Sequence, residues 1–176
     1  MKNRAYLSLG SNIDPEQNIE AALKALADRG SVLAVSTIWE TAPVGFAAQP
    51  NFLNGAVVVE TELSAEAFKH QVLRSIEDIL GRVRDAANKN GPRTIDLDII
   101  LFNEAVLEVD GKPIPSPELL ERAFVALPLA EIAPDYVHPL TGDTLQIISR
   151  RFTAARATMQ PRLDLNPMLS SDLRGG

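Results

Sequence analysis

Residues 94–102 read TIDLDIILF and form the most strand-like segment of the chain. Side chains alternate between the faces of a strand, so Asp96 and Asp98 share one face and the apolar residues beside them share the other. Two neighbouring carboxylates in an apolar strand repel each other and lose hydration, and a bound cation offsets both costs. Hard oxygen ligands with no cysteine nearby favour Mg²⁺. The alternative is an edge strand whose charges prevent aggregation, but the apolar run after Asp98 favours the metal.

Cationic side chains precede this strand. Residues 81–94 contain one anion, Asp85, and four cations, Arg82, Arg84, Lys89 and Arg93. Because the whole chain has a formal net charge of −6, this basic segment predicts a small anionic ligand and not a nucleic acid. Arginine presents a planar fork to phosphate oxygens, and arginines beside a metal are typical of a polyphosphate site. A solvated loop, or arginines that only pair with the two aspartates, is the alternative.

The apolar pattern predicts the other elements. The predicted strands are residues 5–9, 32–39, 55–61 and 94–102. A first helix, capped by Asp14, ends at Gly30 and has an apolar stripe of Ile19, Ala22, Leu23 and Leu26. A second helix, capped by Ser64, has a stripe of Phe68, Val72, Ile76 and Ile79. With further helices at 116–123 and 145–152, the order β-α-β-β-α-β predicts a ferredoxin-like α+β sandwich with extra C-terminal helices.

The segment 41–54 lies between two predicted strands and is too long and too rich in Pro and Gly for a tight hairpin. Loops of this length usually have a function, so it is a candidate ligand-binding loop. Phe52 and Asn54 flank Leu53 and project together if the chain is extended. A flat heterocycle stacks on such an aromatic ring while the amide reads its edge. Considered alone, the two residues favour the other interpretation, in which they anchor the loop to the core.

The 176 residues suffice for one domain with a hydrophobic core. We expect this domain in residues 1–152 and a loosely ordered extension in 153–176. The chain has no cysteine, no signal-peptide core and no apolar run of about 20 residues. We therefore expect a cytoplasmic monomer that binds neither membrane nor nucleic acid. The chain has no P-loop, and neither histidine has the partners of a catalytic triad.

From Ala5 to about Gly142 the chain resembles the 6-hydroxymethyl-7,8-dihydropterin pyrophosphokinase family. The segments that carry the resemblance are LSLGSN (7–12), TAPVG (41–45), QPNFLN (49–54), GRVR (81–84), GPRTIDLDI (91–99), RAF (122–124) and PLAEIAP (128–134). The Gly-Pro-Arg-x-x-Asp-Leu-Asp core is highly specific, and the C-terminal tail is not covered.

The resemblance implies that ATP gives its β,γ-pyrophosphoryl group to the pterin hydroxymethyl oxygen, in folate biosynthesis, and leaves AMP. It implies two Mg²⁺ ions on Asp96 and Asp98, with Arg82 and Arg93 as further catalytic residues. The implied ATP-binding residues are Glu77, Arg84, Lys89, Ser116 and Arg122. The implied pterin-binding residues are Thr41, Ala42, Val44, Phe52, Asn54 and Phe124. The loops 41–54 and 85–91 are expected to close over the substrates.

Three positions depart from the family pattern. Phe52 stands where a tyrosine is common, Ser116 where a histidine is common, and residues 88–90 replace an Arg-Trp pair. Loss of the ring donor at Ser116 predicts weaker ATP binding or turnover. Lys89 partly replaces the missing arginine of the pair as a point charge. A weakened or non-catalytic pterin- or nucleotide-binding paralogue is thus the second hypothesis. A ferredoxin-like RNA-binding module is the third, and the two aspartates on the strand disfavour it.

Overall fold

The computed structural model describes residues 1–84, 86–87 and 89–165, and an antiparallel sheet is its central element. The sheet contains six strands of the described chain, which are β1 (Asn3–Ser11), β2 (Ser31–Val35), β3 (Trp39–Thr41), β4 (Phe52–Thr61), β5 (Asp96–Phe102) and β8 (Gln160–Pro161). The numbers β6 (Leu107–Val109) and β7 (Lys112–Ile114) belong to a separate hairpin that lies between β5 and β8 in the sequence. In the sheet the strand order is β5-β1-β4-β3-β8, and β2 also pairs with β4.

Helices connect and cover the strands. They are α1 (Pro15–Arg29), α2 (Ala65–Ala67), a π-helical turn (Phe68–Leu73), α3 (Arg74–Ile79), α4 (Glu118–Glu121), α5 (Ala123–Ile132), α6 (Leu145–Ser149), a 3₁₀ turn (Arg150–Phe152) and α7 (Thr153–Arg156). The predicted order of elements and the ferredoxin-like class are confirmed. The predicted strand 32–39 is divided in two at Ser36. The backbone N–H of Ser36 still donates to the oxygen of Ala56 at 2.9 Å, but the N–H of Ala56 donates to the Ser36 hydroxyl at 2.8 Å instead of the backbone.

Each face of the sheet packs against its own set of helices. On one face, β1, β4 and β5 bury apolar residues against α1 and the helical segment 65–79. On the other face, Tyr6, Val58 and Leu101 pack against α5 and α6. Along the strands of this second face, the apolar side chains give way to Ser8, Asn54 and the two aspartates, which line a cavity together with side chains of α4 and α5. This polar end of the face forms the site.

A β-bulge in β5 lies between the polar end of the second face and its apolar part. Tyr6 of β1 pairs with Leu101, but the next residue, Leu7, pairs with Ile99, so Ile100 is the extra residue. Ile100 and Leu101 are therefore both fully buried in the second core. A bulge of this kind re-aims the side chains that follow it, and here it lets β5 serve the core beyond the two aspartates.

Two local predictions need correction. Asp14 stands at the N-cap of α1 as predicted, but it adopts a left-handed conformation with φ 43° and its side chain makes no cap hydrogen bond. Ile79, predicted in the buried stripe, is 68% exposed. The π-helical turn explains the second error, because its extra residue rotates the residues after it by about 100°. The stripe consequently continues through Leu73, Ile76 and Leu80.

The structure describes only the first part of the segment that is predicted to be a loosely ordered extension from residue 153. Residues 153–165 contain α7 and β8, which pairs with Trp39 and Glu40 at the edge of the sheet. The Arg162 side chain contacts the carboxylates of Glu16 and Glu40, both at 3.3 Å. Residues 166–176 lie outside the described part of the chain, and the division at residue 152 stays a prediction.

Candidate active site

Three cavities meet at the polar end of the sheet, and Asp98 and Glu118 line all of them. The first, of about 120 Å³, has aromatic walls. The second, of about 230 Å³, lies between β5 and the β6–β7 hairpin and is mostly apolar. The third, of about 640 Å³, lies along the cationic segment 82–93. The site is thus divided into compartments of different chemistry that share one acidic border.

The two aspartates of β5 have different partners. Arg82 donates to Oδ1 of Asp96 at 2.6 Å, and Arg93 donates to Oδ2 at 3.1 Å. Asp98 has no hydrogen-bond donor among the described residues, although both aspartates line the first and third cavities. The alternative that the arginines only neutralise the aspartates therefore fits Asp96 and not Asp98.

Asp98 is electrostatically unusual. Burial raises the pKa of its carboxyl group, the charge of Asp96 adds to the rise, and the resulting pKa is about 7. Lys112 acts in the opposite direction. A carboxylate that is costly to ionise without a partner is one that a bound cation stabilises strongly. Burial and the charge of Asp96 likewise raise the pKa of Glu118.

The raised pKa of Asp98 predicts a pH-dependent penalty on folding. Since the folded-state pKa lies above the ordinary 3.8, the contribution of this group to stability is complete below about pH 4 and is lost as the pH rises through 7. In the absence of metal, Asp98→Asn is expected to match the parent protein at pH 4, and at pH 8 its free energy of unfolding is expected to exceed that of the parent by about 4 kcal/mol. Urea denaturation across this range measures the difference. The control Asp135→Asn, at an exposed position outside the three cavities, should show none; a stability gain for Asp98→Asn that is the same at both pH values would contradict the assignment.

Glu77 forms ion pairs with Arg82 and Arg84. Its carboxylate is buried and accepts from Arg82 at 2.5 Å, from Arg84 at 2.8 Å and from the backbone of Leu97 at 3.2 Å. It lines none of the three cavities. The contacts make Glu77 a positioning residue for Arg82, and its predicted role in ATP binding stays a prediction.

The first cavity brings together all the predicted pterin-binding residues, which are Thr41, Ala42, Val44, Phe52, Asn54 and Phe124. Asn54 is buried, and its amide donates to Oγ1 of Thr41 at 2.5 Å. The amide oxygen lies beside Gly10, where a Cβ would approach it to 2.8 Å, so glycine is needed at this place in β1. The cavity thus offers aromatic surface beside a fixed amide.

The other four predicted ATP-binding residues are distributed over all three cavities. Arg84 and Lys89 line the third, together with the two arginines that hold Asp96. Ser116 lines the second cavity and Arg122 lines the first. Within residues 1–84, 86–87 and 89–165, no group of three or more acidic or histidine side chains converges on a possible metal position. Two carboxylates suit Mg²⁺, which usually keeps waters and takes its other ligands from substrate phosphates.

Sequence reasoning missed the residues that connect the loops. Asn12, which enters the sequence analysis only as part of the LSLGSN segment and without a role, donates to the Gln49 side chain at 2.9 Å and accepts from the backbone N–H of Arg93 at 2.9 Å. Gln49 in turn donates to the backbone oxygen of Asn90 at 2.6 Å. The loop 41–54 therefore touches the loop that leads into β5. Asp85 and Asn88, which belong to the predicted closing loop and to one family departure, lie outside the described residues.

Residues 6–134 match the family model of 7,8-dihydro-6-hydroxymethylpterin-pyrophosphokinase (HPPK). The chain belongs to the HPPK family. This membership confirms the resemblance in the sequence. The 2-amino-4-hydroxy-6-hydroxymethyldihydropteridine pyrophosphokinase of Bacillus subtilis is 44% identical over 135 residues, covering 75% of this chain and 79% of that protein. The corresponding Pseudomonas aeruginosa enzyme is 42% identical over 138 residues, covering 77% and 83%.

Other relatives are much longer than this chain. The Folic acid synthesis protein fol1 of Schizosaccharomyces pombe is 43% identical over 149 residues, which cover 82% of this chain and 20% of that protein. A Plasmodium falciparum HPPK-DHPS triple mutant has a similar structure, with a TM-score of 0.72 over 92% of this chain and 47% of that chain. At 16% identity this likeness shows the fold alone. No helix in the described part of the chain could cross a membrane.

Proposed function

We propose that the chain transfers the β,γ-pyrophosphoryl group of ATP to the hydroxymethyl oxygen of 6-hydroxymethyl-7,8-dihydropterin, giving AMP and the pterin diphosphate of folate biosynthesis. The observation that carries the proposal is the meeting of an aromatic cavity and a cationic cavity at Asp96 and Asp98. One cavity suits a flat heterocycle and the other suits a polyphosphate. Their common border is where the two substrates would react.

The pterin would occupy the first cavity. Phe52 and Phe124 supply aromatic surface, and Arg93 lies over the Phe52 ring with its guanidinium carbon 5.8 Å from the ring centroid. The amide of Asn54 is already fixed by Thr41, so it can read the edge of a heterocycle without losing side-chain freedom on binding. Ala42 and Val44 complete the wall. This arrangement orients the hydroxymethyl group towards the aspartates.

The ATP would extend from the second cavity into the third. The second cavity is lined by Ile99, Val109 and Ile114 and suits the adenine base. The third cavity supplies guanidinium groups from Arg82, Arg84 and Arg93 for the β- and γ-phosphates. Since Arg82 and Arg93 also hold Asp96, they link the phosphates to the metal-binding carboxylates.

Asp96 and Asp98 would hold two Mg²⁺ ions between them and the phosphates. When bound, Mg²⁺ neutralises phosphate charge and lowers the pKa of a coordinated hydroxyl. The new bond forms between the hydroxymethyl oxygen and the β-phosphorus, and the bond between that phosphorus and the α,β-bridging oxygen breaks, so the bridging oxygen leaves with AMP. Asp98 is the candidate acceptor for the hydroxyl proton, because it lines the first cavity and no described donor occupies its carboxylate. The rest of the catalytic effect comes from positioning.

The identity of the released nucleotide tests this function. Incubation of the protein with ATP, Mg²⁺ and the reduced hydroxymethyl pterin is expected to produce AMP and pterin diphosphate in equal amounts, as measured by chromatography. Steady release of ADP would identify an ordinary kinase. Tight binding of both substrates by calorimetry without AMP formation would instead identify the weakened or non-catalytic paralogue, to which the departure at Ser116 points.

A further inference from the structure

A lysine that the sequence reasoning did not consider stands on the β6–β7 hairpin. Asp110 and Gly111 form its two-residue turn with φ angles of 52° and 76°, the left-handed pair typical of a tight type I′ hairpin. This turn fixes the register, in which Val109 lies directly opposite Lys112. Opposed residues of an antiparallel pair point to the same face, so Lys112 shares the inward face with Val109 and Ile114, which are both buried.

The tip of the hairpin is anchored to the helical segment 65–79. The carboxylate of Asp110 contacts Nε2 of His70 at 3.1 Å, Nζ of Lys69 at 3.5 Å and a guanidinium nitrogen of Arg74 at 3.9 Å. Three contacts to one carboxylate, added to the fixed turn, restrict the hairpin relative to the site. The backbone of Lys112 is therefore held in place while its long side chain stays adaptable.

Lys112 lines both the second and the third cavity. It forms no ion pair within 4 Å in the part of the chain that the structure describes, whereas Arg82, Arg84 and Arg93 all do. Asp98 and Glu118, whose ionised forms the charge of Lys112 favours, line the same two cavities. An unpaired cation thus stands at the border between the cavity for a base and the cavity for phosphates.

We propose that Lys112 binds the α-phosphate of the nucleotide. This inference rests on the proposed function, because it assumes that ATP occupies the second and third cavities. With the base in the second cavity and the β- and γ-phosphates at the arginines, the α-phosphate lies at the border where Lys112 stands. It is also the group on which negative charge develops when the bridging oxygen leaves with AMP. A compact ammonium on a flexible stem suits such a contact.

The proposal predicts a selective loss of affinity in Lys112→Met. In calorimetry with Mg²⁺, the variant is expected to bind α,β-methylene ATP and AMP about tenfold more weakly than the parent protein, the order of one charge-assisted contact on an open wall. Binding of adenosine should be unchanged. Lys112→Arg, which keeps the charge, should stay within about threefold of the parent. As a matched control, Lys2→Met removes the same charge from the far end of β1, where Lys2 pairs with Glu60, and should alter none of the affinities.

Each other outcome overturns a stated part of the inference. Loss of ATP-analogue binding with AMP binding intact would move the contact to the β- or γ-phosphate. A loss that includes adenosine would show that Lys112 only shapes the cavity, and equal affinities for parent and Lys112→Met would remove any role in binding. If the parent protein bound neither α,β-methylene ATP nor AMP, the proposed function itself would fail, whatever the behaviour of the variant.

Discussion

Asp98→Ala is expected to lower the rate of AMP formation by about a thousandfold or more. Asp98 is the one of the two aspartates that no described donor neutralises, and it borders all three cavities. Its removal would take away both a metal ligand and the candidate proton acceptor, and such losses at a charged transition state cost about 10²–10³ in rate for a single donor. The measurement is the initial rate of AMP release at saturating ATP, Mg²⁺ and pterin.

The design of this experiment separates catalysis from folding. The apo protein should gain stability when Asp98 is replaced, because ionising this half-buried carboxyl beside Asp96 is unfavourable, so an inactive variant should still be folded. Asp135→Ala removes an exposed carboxylate outside the three cavities and should retain full activity. An Asp98→Ala variant with more than a tenth of the parent rate would place the metal and the chemistry elsewhere.

Arg82→Ala is expected to reduce both stability and activity. The Arg82 side chain, 16% exposed, donates to Glu77 at 2.5 Å, to Asp96 at 2.6 Å and to the backbone oxygen of Ile95 at 3.2 Å. Its removal leaves the buried carboxylate of Glu77 short of a partner, which should cost about 3 kcal/mol of unfolding free energy. We also expect a rate of AMP formation about a hundredfold lower, since Asp96 loses the group that orients it.

Arg84→Ala is the matched comparison for stability. Arg84 pairs with the same Glu77 at 2.8 Å, but its side chain is 44% exposed. Solvent screens that contact, so the variant should lose less than about 1 kcal/mol in urea denaturation. Equal losses for Arg82→Ala and Arg84→Ala would contradict the view that burial of the Arg82–Glu77 pair dominates. Restoration of part of the lost stability by adding Glu77→Gln to Arg82→Ala would support it.

The strand alternation around Asp96 and Asp98 could be predicted because it depends only on local geometry. The same holds for the order of elements and for the Ser64 cap, whose hydroxyl accepts from the backbone of Ala67. The pairing of Asp96 with Arg82 and Arg93 could not be predicted in preference to Asp98, because the choice depends on where the chain turns between residues 82 and 93. Composition predicts that the arginines form ion pairs with carboxylates, but it does not identify which carboxylate each arginine contacts.

The burial of Glu77 and the exposure of Ile79 could not be predicted from the sequence pattern either. A glutamate in a helix is normally expected to face solvent and an isoleucine to be buried, but the π-helical turn rotates the helix so that the reverse occurs. Burial of Glu77 is possible because Arg82 and Arg84 approach it from the following loop. Lys112 had a usable signal, since Asp110-Gly111 between short apolar runs indicates a tight hairpin close to β5.

The most direct test of the proposed site is the magnesium dependence of nucleotide binding. Calorimetric titration with α,β-methylene ATP is expected to give an affinity at least about a hundredfold higher with Mg²⁺ than with EDTA, and most of that difference should disappear in Asp98→Asn. An affinity that is the same with and without Mg²⁺, or a full magnesium effect that persists in Asp98→Asn, would contradict the assignment of the two aspartates as the metal-binding border between nucleotide and pterin.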